Sequence, residues 1–291
     1  VSVLHALILS LLQGAFELFP VSSLGHTVIV PALLGWPERE DDPSFLAFVV
    51  MLHLGTAVAL LIFFWRDWLR IVAAVLRSIA SRELSSDADE HLGWLLVVGS
   101  VPAGVLGLLL KDPLTYLFGQ PWLAAIFLAL NGLVLLGGER LRVSEHSVSV
   151  GSSSKPLPRR PLATLGFGSA FGVGAAQAMA LLPGFSRSGM SMVGGLLARL
   201  DHVDAARLSF MLSTPLILAA AVLELPEVVK PGVVIPPGLA FMGMAISGVT
   251  AYLSVRFLMR YFQTERLDIF GYYCLAFGLA SLAILRLRHV W

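Results

Sequence analysis

The chain of 291 residues is 57% hydrophobic and 13% charged, with a mean hydropathy of +0.82. Soluble domains carry about 25% charged residues, so a soluble globular reading is excluded, and a net charge of +1 leaves no basic footprint for nucleic acid. The single cysteine, Cys274, excludes a disulfide framework and a thiolate metal cluster. What remains is an all-α integral membrane protein.

A spanning helix needs about 20 predominantly apolar residues. In chain order, six runs free of Asp, Glu, Lys and Arg meet or approach that length: residues 45–65, 92–110, 121–138, 208–223, 231–255 and 269–285. Two further apolar segments, 1–37 and 161–198, hold one formal charge each, Glu17 and Arg187. Both are interrupted midway by Gly, Pro and Ser, at 20–25 and at 183–189. Broken backbone at membrane depth is tolerated only where protein or a wet cavity surrounds it. Each segment is therefore expected to form a re-entrant helical hairpin whose tip stops near the midplane.

Each half then reads as a hairpin followed by three spans. Residues 1–138 form a first repeat with hairpin 1–37, residues 139–160 a flexible linker, and residues 161–291 a second repeat with hairpin 161–198, all in one membrane domain. An odd number of spans inverts the second half, an arrangement that places binding sites at the midplane between broken helices. At an offset of 164, Gln13, Leu18, Ser22 and Gly25 meet Gln177, Leu182, Ser186 and Gly189. Of the 20 Lys and Arg residues, 14 fall on the linker side and five on the side of the loop 38–44. The positive-inside rule makes the linker side cytoplasmic. Residues 66–82, with an apolar stripe of Leu69, Val72, Val75, Leu76 and Ile79, suit a helix lying in that interface.

An ionisable residue at membrane depth costs about 2.5–3.5 kcal/mol on insertion scales and is a functional hypothesis by default. Glu17 and Arg187 are each the obvious partner of the other. A purely structural ion pair is the simpler account, but the neighbours argue for chemistry. Gln13, Ser22, Ser23 and His26 accompany Glu17; Ser186, Ser188 and Ser191 accompany Arg187; Gly25 and Gly189 let backbone approach a ligand. The set offers a hydroxyl nucleophile, an acid/base, a carboxylate and a guanidinium. Arginine beside exposed N–H groups at a broken helix end favours a phosphate, and the apolar setting points to a phosphorylated lipid.

The segments LLQGAFELFPVSSLGH (11–26) and LLPGFSRSGMS (181–191) resemble the two signature regions of the undecaprenyl-pyrophosphate phosphatase family, the bacitracin-resistance BacA type. The first resembles its (E/Q)GxxEFLPxSSxGH pattern and the second its PGxSRSGxT pattern, in the same order and spacing. Leu18-Phe19 stands for Phe-Leu, Leu24 where a small hydroxyl residue is common, and Ser191 for Thr. Leu24 removes one alternative hydroxyl and shifts weight to Ser22 and Ser23.

The resemblance implies hydrolysis of undecaprenyl diphosphate to the monophosphate and phosphate, recycling the lipid carrier for peptidoglycan synthesis and conferring bacitracin resistance. It implies a multi-pass protein of the bacterial plasma membrane, a site reached from the extracytoplasmic side, and a divalent cation, Mg²⁺ or Ca²⁺. Glu17, Ser23, His26 and Arg187 match the family's functional positions, with Gln13 in the Glu/Gln slot. In this reading Arg187 clamps the diphosphate and Ser23 is the nucleophile, activated by His26 or Glu17. Gln13, Ser22, Gly25, Ser186, Ser188, Gly189 and Ser191 line the substrate, and Glu17 with Gln13 holds the metal. The partners are the polyprenyl diphosphate and membrane lipids; a homodimer is compatible with the chain, which carries no mark of its oligomeric state.

The competing reading from another class is a transporter or flippase that binds a polyprenyl phosphate without cleaving it, since opposed hairpins in inverted repeats are transporter architecture. The Ser23–His26 pair discriminates, because a binder needs no nucleophile. A PAP2-type lipid phosphatase would need a histidine where Val193 stands and a Lys-x₆-Arg-Pro element that the chain lacks. His5 and His53 are expected to be buried, hydrogen-bonded histidines, Asn131 and Gln120 interhelical polar contacts, and Pro102 and Pro215 kinks within spans.

Overall fold

The computed structural model describes residues 2–36, 43–83, 87–110, 114, 117, 119–151, 161–228, 233, 235–264 and 266–288, with backbone alone at 143–151, 225, 227 and 228. Most of the loop 38–44 and residues 152–160 of the linker lie outside the described residues. The main elements are α1 (Val3–Phe16), α2 (Ser23–Leu34), α3 (Pro43–Phe63), α4 (Trp65–Ser81), α5 (Ala88–Leu109), α6 (Pro121–Gly151), α7 (Phe167–Ala178), α8 (Arg187–Leu197), α9 (His202–Val228), α10 (Pro237–Tyr261) and α11 (Asp268–Leu287). Short 3₁₀ turns at Leu162–Thr164 and Met179–Leu181 flank α7. Among the described residues there is no strand.

Among the described residues, six helices are long and apolar enough to cross a membrane: Pro43–Phe63, Ala88–Leu109, Pro121–Arg142, His202–Glu224, Pro237–Tyr261 and Asp268–Leu287. The chain is an integral membrane protein. Each span coincides with one charge-free run, and where the bounds differ the charges explain it. The fourth begins at His202 because Asp204 sits in the first turn of α9, favourable against the helix dipole, and accepts from Leu162 N at 2.8 Å.

The third run does not give way to a linker at residue 139, as expected. The helix continues to Gly151, because Glu139 is fully buried rather than solvated. Its carboxylate accepts from Arg142 Nη1 at 3.2 Å and Leu267 N at 3.3 Å, pairs with Arg266 Nε at 3.2 Å, and lies 2.8 Å from His202 Nε2. This knot ties the end of α6 to the starts of α9 and α11.

Apolar side chains give no preference for another helix over lipid, so close packing needs small residues. The spans comply. Gly55 of α3 faces the Met244 carbonyl of α10, where no Cβ fits, and Ser247 of α10 donates to Leu52 O at 3.0 Å. Gly132 and Gly278 bring α6 and α11 together, Gly14 seats α1 on α10, and Gly174 seats α7 on α5. Helix α4 lies against α5 through Ile71, Ala74 and Ser78. Leu69, Val72, Leu76 and Ile79 of its expected stripe are exposed, the face an interfacial helix turns to lipid.

Helices α1, α2, α7 and α8 have 14, 12, 12 and 11 residues. At about 1.5 Å per residue they reach about 16–21 Å, short of the roughly 30 Å hydrocarbon core. Pro102 and Pro215 lie inside continuous helices. Asn131 is an interhelical contact as expected, whereas Gln120 accepts from Trp122 Nε1, two residues on in its own segment, at 3.3 Å.

Candidate active site

The polar residues singled out in the two interrupted apolar segments gather where the breaks 17–22 and 179–186 meet. A Cβ on Gly25 would lie 3.1 Å from Gly184 Cα, and one on Gly189 would lie 3.3 Å from Pro20 Cβ. These glycines let the two breaks touch one another. Gly184, at φ +102° and pressed against Ala124 and Leu128 of α6, has room and conformation for glycine alone.

Backbone groups freed by the breaks must be satisfied from within the protein, and the donors come from Ser186 and Ser188 beside the other break and from Asn131 of α6. Ser188 Oγ donates to Phe19 O at 3.0 Å and Ser186 Oγ to the same oxygen at 3.3 Å. Asn131 of α6 donates through Nδ2 to Pro20 O at 3.1 Å and accepts at Oδ1 from Ser186 N at 3.0 Å. One side chain thus straps both breaks. Ser191 Oγ is occupied too, donating to Ser209 Oγ at 2.7 Å. The hydroxyls of Ser186, Ser188 and Ser191 therefore all make bonds within the protein.

Two helix N-termini converge on Glu17. Ser22 caps α2, its Oγ accepting from Gly25 N at 3.1 Å, and Ser186 caps α8, accepting from Gly189 N at 3.1 Å. Ser22 holds a φ of +63°, a strained conformation for a residue other than glycine. The strain turns Ser23, first residue of α2, toward the carboxylate. Ser23 Oγ donates to Glu17 Oε2, and Arg187 Nη2, from the first residue of α8, donates to Glu17 Oε1. Gln13 Nε2 donates to Oε2 at 2.8 Å, and Gln13 Oε1 is buried without a partner. Glu17 and Ser23 are 7% and 5% exposed, so the pair sits out of bulk water.

The residues divide differently from one sequence expectation. His26 was a candidate partner of Ser23, yet its Nδ1 is 2.7 Å from Ser22 O and its Nε2 is 2.8 Å from Tyr273 OH. A carbonyl can only accept, so Nδ1 donates and Nε2 accepts from the tyrosine. Phe277 stacks on the ring at 4.9 Å and Phe16 lies 4.4 Å away. His26 thus props the strained Ser22 turn from an aromatic box, while Glu17 holds the Ser23 proton. Tyr273 carries no local sequence signal, since a tyrosine in a span is commonplace. His5 stacks on Trp36 at 3.9 Å. His53, from α3, brings Nε2 to 3.6 Å from Glu17 Oε2, a contact the sequence did not reveal.

A hydroxyl on a carboxylate, a guanidinium on the same carboxylate and two positive helix ends suit phosphoryl transfer. Fold and centre together define a polytopic membrane protein with a buried acid–hydroxyl–guanidinium site of that kind. The family model described as bacitracin resistance protein BacA matches residues 6–280, and the chain belongs to that family. It is 46% identical to the undecaprenyl-diphosphatase of Acidiphilium cryptum, over 97% of this chain and 98% of that one. It is 45% identical to the undecaprenyl-diphosphatase of Mycolicibacterium paratuberculosis, over 99% and 98%, and 40% identical to undecaprenyl-diphosphatase 2 of Frankia alni, over 94% and 95%.

Proposed function

We propose that the chain is a bacterial plasma-membrane phosphatase that hydrolyses undecaprenyl diphosphate to undecaprenyl phosphate and inorganic phosphate. It thereby returns the lipid carrier to peptidoglycan synthesis and confers resistance to bacitracin. The observation that carries this reading is the Ser23 hydroxyl donating to a buried Glu17 carboxylate that Arg187 also grips. A carrier that binds without cleaving has no use for a hydroxyl held on a base.

Glu17 takes the Ser23 proton as Oγ attacks the terminal phosphorus, and the bond to the bridging oxygen breaks, releasing undecaprenyl phosphate. Arg187 and the free N–H groups at the starts of α2 and α8 stabilise charge on the transferring group. Glu17 gives the Ser23 proton up to the departing phosphate oxygen. Its carboxylate then takes a proton from the water that attacks the phosphoserine and passes it to Ser23 Oγ as inorganic phosphate leaves. His26, Ser22 and Tyr273 orient the nucleophile; Ser186, Ser188 and Asn131 hold the breaks in register.

A divalent cation fits the residues present, because Gln13 Oε1 is a buried oxygen donor without a partner beside the Glu17 carboxylate. Glu17 and Gln13 would hold it, and when bound it supplies neutralisation of phosphate charge.

The same reading makes α1–α2 and α7–α8 re-entrant hairpins of two inverted repeats. Their short length supports this, and so does the pattern of helix neighbours. Exchange α1, α2, α3, α5 and α6 with α7, α8, α9, α10 and α11. The α1–α10 contact then becomes α7–α5, and α2–α11 becomes α8–α6, while α3–α9 and α6–α11 map onto themselves; all of these contacts occur. Glycine makes both close approaches, Gly14 on α10 and Gly174 on α5. Access is then from the extracytoplasmic face, opposite the arginine-rich linker.

The test is phosphate release from undecaprenyl diphosphate by the purified chain in detergent. Wild type should turn over, and Glu17→Gln, folded as wild type, should lose about 10²–10⁴-fold, the scale of a lost general base. No release by wild type with a divalent cation present would refute the reading.

A further inference from the structure

The expectation for His53, a hydrogen-bonded histidine in a span, accounts for only one of its two ring nitrogens. Nδ1 lies 2.9 Å from the Val49 carbonyl oxygen. The carbonyl accepts, so in the neutral ring Nδ1 carries the proton and Nε2 presents a lone pair. That lone pair faces the reaction centre, 3.6 Å from Glu17 Oε2. Nε2 and the carboxylate oxygen lie close enough to share one positive centre, a proton or a metal ion. Gln13 supplies a third donor at the same place. Its Nε2 is 2.8 Å from the same carboxylate oxygen and its Oε1 has no partner, so a turn about the last torsion of the amide presents oxygen in place of N–H.

We propose that His53 Nε2 is a ligand of the divalent cation at Glu17, giving a protein donor set of one carboxylate, one amide oxygen and one imidazole nitrogen. The proposal rests on the cation reading above and sharpens it. Metal-bound histidines characteristically donate their other ring N–H to a carbonyl or carboxylate, which fixes the tautomer, and the Val49 bond is of that kind. The 3.6 Å between Nε2 and Oε2 is the span of two ligands at near-tetrahedral angle, each about 2.1–2.2 Å from a shared ion. His26 cannot serve in the same way, since both its nitrogens are engaged.

The donor set changes which ion is favoured. Ca²⁺ and Mg²⁺ take oxygen ligands, whereas imidazole suits first-row transition ions. One imidazole beside two oxygen donors raises affinity for Zn²⁺ and Mn²⁺ relative to an all-oxygen site of the same size. Diphosphate oxygens complete the coordination when substrate is bound.

Mn²⁺ itself is the probe. The full chain in detergent, free of substrate and of imidazole buffer, is titrated with Mn²⁺ and read by electron paramagnetic resonance and its electron spin echo modulation. Bound Mn²⁺ in the wild type should show ¹⁴N modulation from a directly coordinated imidazole, a signal that needs no variant. His53→Gln and His53→Asn should lose that modulation and bind Mn²⁺ about tenfold or more weakly, while unfolding at the wild-type temperature. Ca²⁺ should displace Mn²⁺ poorly from the wild type and more readily from both variants. Bound Mn²⁺ without nitrogen modulation, or modulation that persists in both variants, overturns His53 as a ligand and leaves the cation reading standing. Absence of Mn²⁺ binding together with full phosphate release in EDTA overturns the cation reading as well.

Discussion

Replacing Asn131 by leucine asks whether the two breaks must be held in register for turnover. The substitution keeps the branching at Cγ and removes the amide's hydrogen bonds, from Asn131 Nδ2 to Pro20 O at 3.1 Å and to Cys274 Sγ at 3.3 Å and from Ser186 N to Asn131 Oδ1 at 3.0 Å. Pro20 O keeps a weak donor in Cys274 Sγ at 3.8 Å. Ser186 N–H keeps none among the described residues, and Ser186 is 1% exposed. A buried donor left unsatisfied costs about 1–3 kcal/mol, and the second lost bond about 1 kcal/mol more. The sum, about 2–4 kcal/mol, falls on the turn that launches Arg187 toward Glu17. At about 1.4 kcal/mol per factor of ten, kcat should fall about 30- to 10³-fold if all of that energy is felt at the centre. The assay is phosphate release at saturating lipid, alongside thermal unfolding in the same detergent. An Asn131→Leu protein that unfolds earlier yet releases phosphate within twofold of wild type would refute the reasoning, leaving Asn131 a packing residue.

Two further outcomes test the frame around the site. Glu139→Ala should destabilise the fold by about 1–3 kcal/mol, because it removes a fully buried carboxylate on which Arg142, His202, Arg266 and Leu267 N converge, while phosphate release per folded molecule stays at the wild-type level; a melting temperature unchanged from wild type would contradict the burial argument. Single cysteines placed in the loop 38–44 and in the linker 152–160 of a Cys274→Ala chain should label from opposite faces of the membrane, and labelling from one face would sink the inverted arrangement.

The six spans were legible because a charged side chain within the hydrocarbon core is costly enough to clear long runs of Asp, Glu, Lys and Arg. The Glu17–Arg187 pairing was legible for the same reason, each being alone in its apolar segment. Division of labour around Ser23 was not. His26 stands with Ser23 among the family's functional positions, which makes it a candidate partner, but its ring turns toward Tyr273 on α11. That bond joins α2 to α11, and no local pattern encodes it.

His53 illustrates the same limit. Helical periodicity accounts for its bond to the Val49 carbonyl one turn earlier, yet which way the ring's other nitrogen faces depends on how α3 packs beside α1. Glu139 misled because Arg140 and Arg142 follow it, which reads as the start of a solvated linker. Its partners His202 and Arg266 arrive from two other helices and carry the carboxylate inside. The residues matched at the offset of 164 differ in surroundings: Gln13 bonds Glu17, whereas Gln177 is buried with neither amide atom partnered among the described residues.

The measurement that bears most directly on the central claim is capture of the phosphoenzyme. Undecaprenyl diphosphate labelled with ³²P at the terminal phosphate is mixed with the chain, quenched in acid within a turnover, and the protein digested and mapped. The account predicts label on the peptide carrying Ser23 in the wild type, and its loss in Ser23→Ala together with phosphate release. A Ser23→Ala protein that releases labelled phosphate at near the wild-type rate would contradict the account and move the attack to a water molecule.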